Sequence, residues 1–381
     1  MVGPSMPDPE KIAAVREALP SVSAGIYLDT PAAGPLPAES AAAMAEVAQW
    51  ELTTGRAHRF RAEDVQARVG EARAAAAAIL TAELDEVALA HGLDDALTRA
   101  LRTVPWRGGD RLLVVDDPDL RGLERLAPPG VAVERLTPPG VAVERLSAAQ
   151  PLDDQLERAL TAGVRLVALP LVSSTTGARL PVEHLAAAAR RRGVRVLVDV
   201  SLGLGAVPVE PLTLGADLVV ARSEAWLLGP EGLAIVAGAG INPVTDGFHL
   251  PSVAGFARGC GWLSMYVGLP WIQQRGEALT AHVAGRLASI DGVTLRTPAA
   301  RATTLVFGIA GWAATEALDE LGGRIFLLAG VTEQDSLRIG IGFWNTVEEL
   351  DRLVEGVALL AAHTPATLPR RPRLAMLDEG P

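Results

Sequence analysis

Cysteine and long apolar runs are scarce in this chain of 381 residues. The single cysteine, Cys260, cannot form an internal disulfide, which excludes a disulfide-stapled framework and is typical of a reducing compartment. No uninterrupted apolar run is long enough to cross a bilayer, and the first residues show no basic segment followed by an apolar one. We therefore expect a cytoplasmic protein without a membrane span or a secretory signal.

Lysine is almost absent. Lys11 is the only lysine, so 33 of the 34 basic residues are arginine, and the formal net charge is −11. This negative balance argues against nucleic acid as a partner, because a phosphate backbone requires a basic face. Any chemistry that needs a lysine amine would have to use Lys11.

Short aliphatic runs alternate with helical patterns through the middle of the chain. Strands are predicted at residues 110–117, 164–172, 194–200, 215–222 and 232–238, and an amphipathic helix at 182–193. Continuous apolar strands separated by helices indicate a mostly parallel sheet that is covered on both faces. Functional residues in such sheets gather at the carboxyl ends of the strands, where Asp199 and the Arg222–Glu224 segment are expected.

The pattern changes after about residue 250. A long helix is predicted at 271–290, then three strands around a helix at 312–322, and a final helix that begins with the capping pair Thr346 and Glu349. The predicted organisation is an N-terminal arm (1–25), a large domain (26–250), a small α+β domain (251–365) and a flexible tail (366–381). The repeat of residues 127–136 at 137–146 is interpreted as a local duplication, with one copy in the fold and one on the surface.

Five motifs occur in an order that resembles one enzyme family. They are "IYLDTPAAGPLP" (26–37), "SSTTGARLP" (173–181), "VLVDVSLGLGAVPVEPLTLGADLVVA" (196–221), "WLLGPEG" (226–232) and "LRIGIGFWNTVEELDRLV" (337–354). Together they resemble the class V aminotransferases, which are fold-type I pyridoxal phosphate (PLP) enzymes and include cysteine desulfurases and isopenicillin N epimerase-like proteins. The resemblance implies an α/β fold with a mostly parallel seven-stranded sheet, helices on both faces, and a smaller α+β domain. It also implies a homodimer, with residues 256–270 crossing to the partner and Gly259–Cys260 near the partner's phosphate site.

The family's cofactor residues are mostly missing. The resemblance places Ala225 where the Schiff-base lysine stands, and Asp94 at the helix N-terminus that normally holds the phosphate. Leu202 and Glu224 replace a glutamine and a histidine, and no ring occurs in the 116–122 segment where a stacking residue is expected. A carboxylate such as Asp94 would repel a phosphate. Asp199 alone matches, as the partner of the pyridinium nitrogen. We therefore expect no cofactor and, since the histidines lack ligand spacing, no metal.

The remaining polar residues suggest a site for another ligand. Arg338 aligns with the family's clamp for a substrate carboxylate, although it is also compatible with a surface arginine on a strand. Proposed catalytic residues are Glu224, Asp199 and His91. Proposed substrate-binding residues besides Arg338 are Arg222, Ser223, Ser174 and Trp344. For Arg222 and Glu224 a plain salt bridge is the alternative, for Asp199 a loop cap, and for Trp344 a core position.

Three functions stay open at this point. The first is a PLP-independent enzyme of specialised (natural-product) metabolism that acts on a carboxylate-bearing, amino-acid-derived substrate in the former cofactor pocket. The second is a non-catalytic pseudoenzyme that binds a small molecule or a partner subunit. The third is a PLP-dependent transferase or lyase in which the lysine has been exchanged for alanine.

Overall fold

The computed structural model describes residues 8–136, 152–243 and 247–370. In chain order the helices are α1 (Asp8–Ala18), α2 (Ala38–Thr54), α3 (Arg61–Leu80), α4 (Gly92–Arg102), α5 (Gly122–Leu126), α6 (Leu152–Ala159), α7 (Val182–Arg191), α8 (Pro211–Leu214), α9 (Leu250–Gly261), α10 (Leu269–Ala288), α11 (Ala314–Ile325) and α12 (Val347–Ala361). The strands are β1 (Ile26–Tyr27), β2 (Val87–Ala90), β3 (Arg111–Val115), β4 (Ala132–Leu136), β5 (Val164–Pro170), β6 (Arg195–Asp199), β7 (Leu218–Arg222), β8 (Ala234–Gly238), β9 (Val293–Leu295), β10 (Thr304–Ile309), β11 (Leu327–Leu328), β12 (Gly330–Thr332) and β13 (Ser336–Gly340).

Seven strands form the central sheet, in the order β2-β8-β7-β6-β5-β3-β4. The strands from β7 to β4 pair in parallel, whereas β8 runs antiparallel to both β7 and β2. Alternate residues of one strand enter different cores: Leu113 and Val115 pack with helices α3 and α9, and Leu112 and Val114 pack with α4. The sheet is therefore buried on both faces, as its continuous aliphatic strands require. This confirms the predicted α/β fold.

A smaller lobe follows the central sheet. Its four-stranded antiparallel sheet has the order β12-β13-β10-β9, and it packs on the second half of α10 and on α11 and α12. The short strand β1, from the beginning of the chain, pairs with β11 of this lobe. Helix α12 begins with a complete capping box, since Thr346 accepts a hydrogen bond from the Glu349 backbone and Glu349 accepts one from Thr346.

The two cores meet within the long helical region after residue 250. Buried residues of α9, including Val253 and Phe256, belong to the core of the large lobe. The core of the small lobe begins further on in α10, at Leu279. The predicted boundary between residues 250 and 251 therefore falls at the start of a helix that packs on the large lobe.

Two sequence features lie at the limits of the described chain. The first repeat copy supplies the edge strand β4, and the second copy at 137–146 lies outside the described residues. The predicted tail is described only as far as residue 370. Within the described ranges, no helix is both long enough and apolar enough to cross a membrane.

Candidate functional site

Four parallel strands end at the same edge of the sheet and deliver polar side chains there. Asp117 follows β3, Ser174 follows β5, Asp199 ends β6 and Arg222 ends β7. These strands are neighbours in the sheet, so residues far apart in sequence become adjacent. The carboxyl edge of a parallel sheet is the usual position of a ligand site in open α/β folds.

Asp199 is buried and held by one short turn. Its Oδ1 accepts hydrogen bonds from the Ser201 backbone at 2.8 Å and from the Ser201 hydroxyl at 2.5 Å. Burial, helped by the negative charge of Asp119, raises the pKa of Asp199 from 3.8 to about 7. This carboxyl group can therefore exchange a proton near neutral pH.

Asp117 and Ser174 form a second buried pair. The Asp117 carboxylate accepts from the Ser174 backbone at 2.9 Å and from the Ser174 hydroxyl at 2.6 Å. It also accepts from the Asp119 backbone at 3.3 Å, which closes the turn after β3. Burial raises the pKa of Asp117 as well. Ser174 thus lies at the predicted site, but its hydroxyl proton is used by Asp117.

Arg222 links the carboxylates. One of its terminal nitrogens lies 3.3 Å from Asp119 Oδ2, and the other lies 3.8 Å from Glu224 Oε1. Its backbone N–H donates to the Ser201 hydroxyl at 3.0 Å, which connects this network to Asp199. The Arg222 and Glu224 side chains are 19% and 17% exposed, so the network is reachable from solvent. Burial raises the pKa of Glu224.

The segment that follows β7, residues 223–230, is called the elbow, and the loop after β1 covers it. The Pro31 carbonyl accepts from Arg222 at 3.3 Å, and the Gly34 N–H donates to the Glu224 carbonyl at 2.7 Å. A Cβ atom on Gly34 would lie 2.5 Å from the Ala225 carbonyl oxygen and 2.3 Å from a Leu228 methyl group. Only glycine allows this close approach, so the loop and the elbow are locked together.

Arg338 lies beside Asp29 at the start of the same loop. A Cβ atom on Gly330 would lie 2.9 Å from Asp29 Oδ1 and 3.4 Å from an Arg338 terminal nitrogen, which shows that both groups meet over this glycine. Burial raises the pKa of Asp29, and the Arg338 charge opposes that rise. Arg338 Nε and Asp29 Oδ1 are both buried without a hydrogen-bond partner among the described residues. A buried donor and acceptor left unpaired are the groups that a ligand would satisfy.

The elbow itself is closed. Ala225 is fully buried, and Ser223 donates its hydroxyl proton to the Pro230 carbonyl of the same loop. The Ser223 hydroxyl therefore stabilises the elbow, and the predicted substrate contact has no free donor there. Leu228 has φ of 53°, a left-handed conformation that is rare for a branched side chain. Trp226 is buried against Trp344 from the small lobe, with ring centroids 6.2 Å apart.

Three further predicted residues lie away from the polar cluster. Trp344 is fully buried, so the core position that we considered as the alternative is the one that the structure adopts. His91 stacks on Phe248 with ring centroids 4.3 Å apart, and its backbone donates to Asp95. Leu202 is buried in the core of the large lobe.

The N-terminus of α4 is occupied by carboxylates. Asp95 Oδ2 accepts from the His91 backbone at 3.0 Å and from Arg99 Nε at 2.9 Å. Asp94 lies 2.5 Å from an Arg125 terminal nitrogen. These side chains neutralise the helix dipole and the nearby arginines, which are the groups that would otherwise attract a phosphate.

The only lysine of the chain packs against a tryptophan elsewhere in the fold. Lys11 is buried in α1, with its ammonium nitrogen 4.5 Å from the centre of the Trp271 ring. Neither Lys11 nor Ala225 offers an amine to a PLP aldehyde at the elbow. Together with Asp94 and Asp95, these residues do not fit the cofactor. Among the described residues, no group of three or more histidine, cysteine, aspartate or glutamate side chains could hold a metal ion.

Sequence reasoning missed three of the residues that organise the site. Asp117 and Asp119 belong to the segment "DDPD" after β3, which we examined only for a missing ring. Asp29 lies in the first motif, and its partner Arg338 is more than three hundred residues away in the chain. A carboxylate directly after a buried strand was a usable signal for the first pair. No local signal existed for the contact between Asp29 and Arg338.

Comparison with known proteins assigns the family. A family model described as aminotransferase class-V matches residues 26–240, more than half of the chain. The protein therefore belongs to the class V aminotransferase family.

Individual relatives are distant. A probable cysteine desulfurase of Aeropyrum pernix is 30% identical over 229 residues, which are 58% of this chain and 54% of that protein. Another, from Methanothermobacter thermautotrophicus, is 25% identical over 310 residues, 73% of this chain and 76% of that protein. The chain thus spans only about half the length of the first relative.

Solved structures share the fold. A lysine-to-alanine mutant of C-DES, with glycine covalently linked to its PLP cofactor, superposes with a TM-score of 0.80 at 18% identity, over 90% of this chain and 98% of that one. The apo cysteine desulfurase of Thermococcus onnurineus gives 0.77 at 19% identity, over 94% and 99%. At these identities the likeness establishes the fold alone.

Proposed function

We propose that this protein is a PLP-independent enzyme of specialised metabolism that acts on a carboxylate-bearing, amino-acid-derived substrate. The observation that carries the proposal is the charged network Asp119–Arg222–Glu224, with Asp199 behind it, at the strand ends where the resemblance places the cofactor. This network sets charged side chains, and not an apolar surface, at those strand ends. The network supplies instead the carboxyl groups of Asp119 and Glu224, one on each side of the Arg222 guanidinium.

Arg338 is proposed to bind the substrate carboxylate. Its Nε is buried and makes no hydrogen bond within the described part of the chain, so a bound carboxylate would supply the missing acceptor. Oδ1 of Asp29 beside it likewise makes no hydrogen bond there and would orient an amine or hydroxyl of the same substrate. The loop from Asp29 to Gly34 then joins the binding pair to the Arg222 network.

Glu224 and Asp199 are proposed as the acid–base pair. Both have raised pKa values because both are removed from water, and Glu224 is the more accessible of the two. Carboxyl groups with raised pKa values in one cleft are suited to donate and accept protons at neutral pH. His91 is not part of this proposal, since its ring contacts Phe248.

A thermal-shift and absorbance experiment tests the proposal. Purified protein incubated with PLP is expected to show no visible absorbance band of a lysine Schiff base and no rise in Tm. Amino-acid-derived carboxylates are expected to raise the Tm of the natural chain more than that of the Arg338→Gln variant, because that variant lacks the bidentate donor at the strand-end site.

The matched control is Arg352→Gln, which removes an exposed arginine on α12. A large stabilisation by PLP would overturn the proposal. Binding of a carboxylate without any turnover, unchanged in Glu224→Gln, would favour the alternative of a non-catalytic binding protein.

A homodimer is also proposed, through the segment 256–270. Met265 and Tyr266, adjacent in this segment, are 71% and 40% exposed, and together they offer an apolar surface to a partner. Gly259 and Cys260, which the resemblance implies near the partner's phosphate site, lie in the last turn of α9 and are buried in this chain. Sedimentation equilibrium is expected to give twice the chain mass, and Met265→Glu is expected to shift the protein toward monomer. A monomeric natural chain would contradict the proposal, and the exposed Leu212→Glu is the control.

A further inference from the structure

A cavity of about 450 Å³ lies where the small lobe joins the large one. On one side it is bounded by Arg179 and by the turn Ala206–Pro208 of the large lobe, and on the other by α10 and the segment Ala299–Thr303. The two lobes are joined by backbone hydrogen bonds here. The Arg179 N–H donates to the Ala300 carbonyl at 3.0 Å, and Ala178 forms a β-bridge with Arg301. The volume is in the range of small-molecule sites.

The cavity contains none of the residues of the strand-end site. Asp199, Arg222, Glu224 and Arg338 are all absent from its lining. It is therefore a second cavity, and its occupancy does not depend on the function proposed above.

The charge of this cavity is opposite to that of the protein. Two guanidinium groups, Arg179 and Arg301, line it together with one carboxylate, Glu277, whereas the whole chain has a formal net charge of −11. The partners of the arginines are weak: Arg179 lies 4.0 Å from Glu183, and Arg301 donates to the Pro298 carbonyl at 3.3 Å. Both guanidinium groups retain donors for an anionic ligand.

A buried hydroxyl in the wall lacks a partner. Thr303 is 3% exposed, and its Oγ1 makes no hydrogen bond within the described residues. The neighbouring Thr280 hydroxyl, in contrast, donates to the Gly276 carbonyl at 2.7 Å. An orphaned buried hydroxyl costs free energy, so a ligand atom that reached Thr303 would offset that cost.

The other groups define the rest of the ligand. Gln273 and Glu277 are four residues apart on α10 and share one face of the helix. Apart from Gln274, the remaining wall is aliphatic, formed by Ala206, Val207, Pro208, Pro270, Ala281, Ala299 and Ala302. Cationic, anionic and aliphatic surfaces in one cavity match a molecule that has a carboxylate, an ammonium group and an aliphatic part.

We propose that this cavity is a second small-molecule site, which binds a zwitterionic aliphatic amino acid. Arg179 and Arg301 bind its carboxylate, with the Thr303 hydroxyl as an additional donor. Glu277 binds its ammonium group, and the proline and alanine wall packs on its side chain.

Calorimetric titration with three probes tests each charge separately. L-Leucine carries both charges, N-acetyl-L-leucine lacks the ammonium group, and L-leucinamide lacks the carboxylate. Leucine is expected to bind most tightly, N-acetyl-leucine more weakly, and leucinamide at least roughly tenfold more weakly than leucine, because loss of the carboxylate leaves both arginines without an anion.

Variants assign the binding to the cavity. Arg301→Gln and Thr303→Val are expected to weaken leucine binding, the first by roughly tenfold, while Glu277→Gln is expected to remove the preference for leucine over N-acetyl-leucine. Arg352→Gln and Arg338→Gln are expected to leave it unchanged, the second because it alters only the strand-end site. Melting curves of each variant report whether it is folded.

Two results would overturn the proposal. One is the absence of saturable leucine binding to the natural chain. The other is leucine binding that Arg338→Gln abolishes and Arg301→Gln leaves intact, which would assign the ligand to the strand-end site and support the proposed function instead.

Discussion

Replacing Asp199 by asparagine is expected to raise the free energy of unfolding at pH 8 and to flatten its dependence on pH. The pKa of Asp199 is about 7 in the folded protein, against an ordinary value of 3.8. Between these values the folded state keeps a proton that the unfolded chain has released, so stability falls as pH rises through this window. A shift of this size corresponds to at most about 4 kcal/mol, and asparagine removes it because it never ionises.

Urea unfolding at about pH 5 and pH 8 measures this effect. Some pH dependence is expected to remain in Asp199→Asn, since the pKa values of Asp29, Asp117 and Glu224 are raised as well.

Asp119→Asn is the informative control. It removes a negative charge that raises the pKa of Asp199, so the fall in stability should be smaller and should end at a lower pH. If Asp199→Asn and the natural chain have the same pH profile, the buried carboxyl is not the titrating group.

Ala225→Lys is expected to destabilise the protein by more than about 3 kcal/mol and to restore no PLP binding. Ala225 is fully buried, and the loop at Gly34 passes directly over its carbonyl. A lysine at this buried position must either lose its charge or displace the loop. The carboxylates Asp94 and Asp95 would still occupy the helix N-terminus.

Ala225→Met separates the effect of size from that of charge, because methionine is about as long as lysine but is apolar. We expect Ala225→Met to lower the free energy of unfolding less than Ala225→Lys does. Denaturation with urea and absorbance after incubation with PLP are the measurements. A stable Ala225→Lys protein that becomes coloured with PLP would show that only the lysine had been lost, and the third hypothesis, a PLP enzyme with an exchanged lysine, would replace our proposal.

Most of the fold was predictable because its signals are local. The strands β3, β5, β6, β7 and β8 are continuous aliphatic runs that end at polar residues, and each was predicted close to its observed position. The capping box at Thr346 also depends on only four consecutive residues. The helical region after residue 250 was less readable, because α9, a π-helical turn (Trp262–Val267) and α10 follow one another almost directly.

The candidate site was predictable only in part. Asp199 and the Arg222–Glu224 segment were chosen because they follow strands, and the structure brings Asp199, Arg222 and Glu224 to the same edge of the sheet as Ser174. Ser223 and Trp344 were proposed to bind substrate, and their polar atoms are used inside the fold. Sequence position does not reveal whether a side chain faces a cleft or its own backbone.

The sequence by itself determined the scaffold and the missing amine. Aliphatic strand runs and five ordered motifs specify a class V aminotransferase fold, and a chain whose only lysine is Lys11 has no amine at residue 225. Tertiary structure alone decided which side chains meet at the carboxyl edge of the sheet. Arg222 meets Asp119 across about one hundred residues of chain, and Arg338 meets Asp29 across more than three hundred. These contacts arise because strand order in the sheet differs from strand order in the chain, a property that no local pattern encodes.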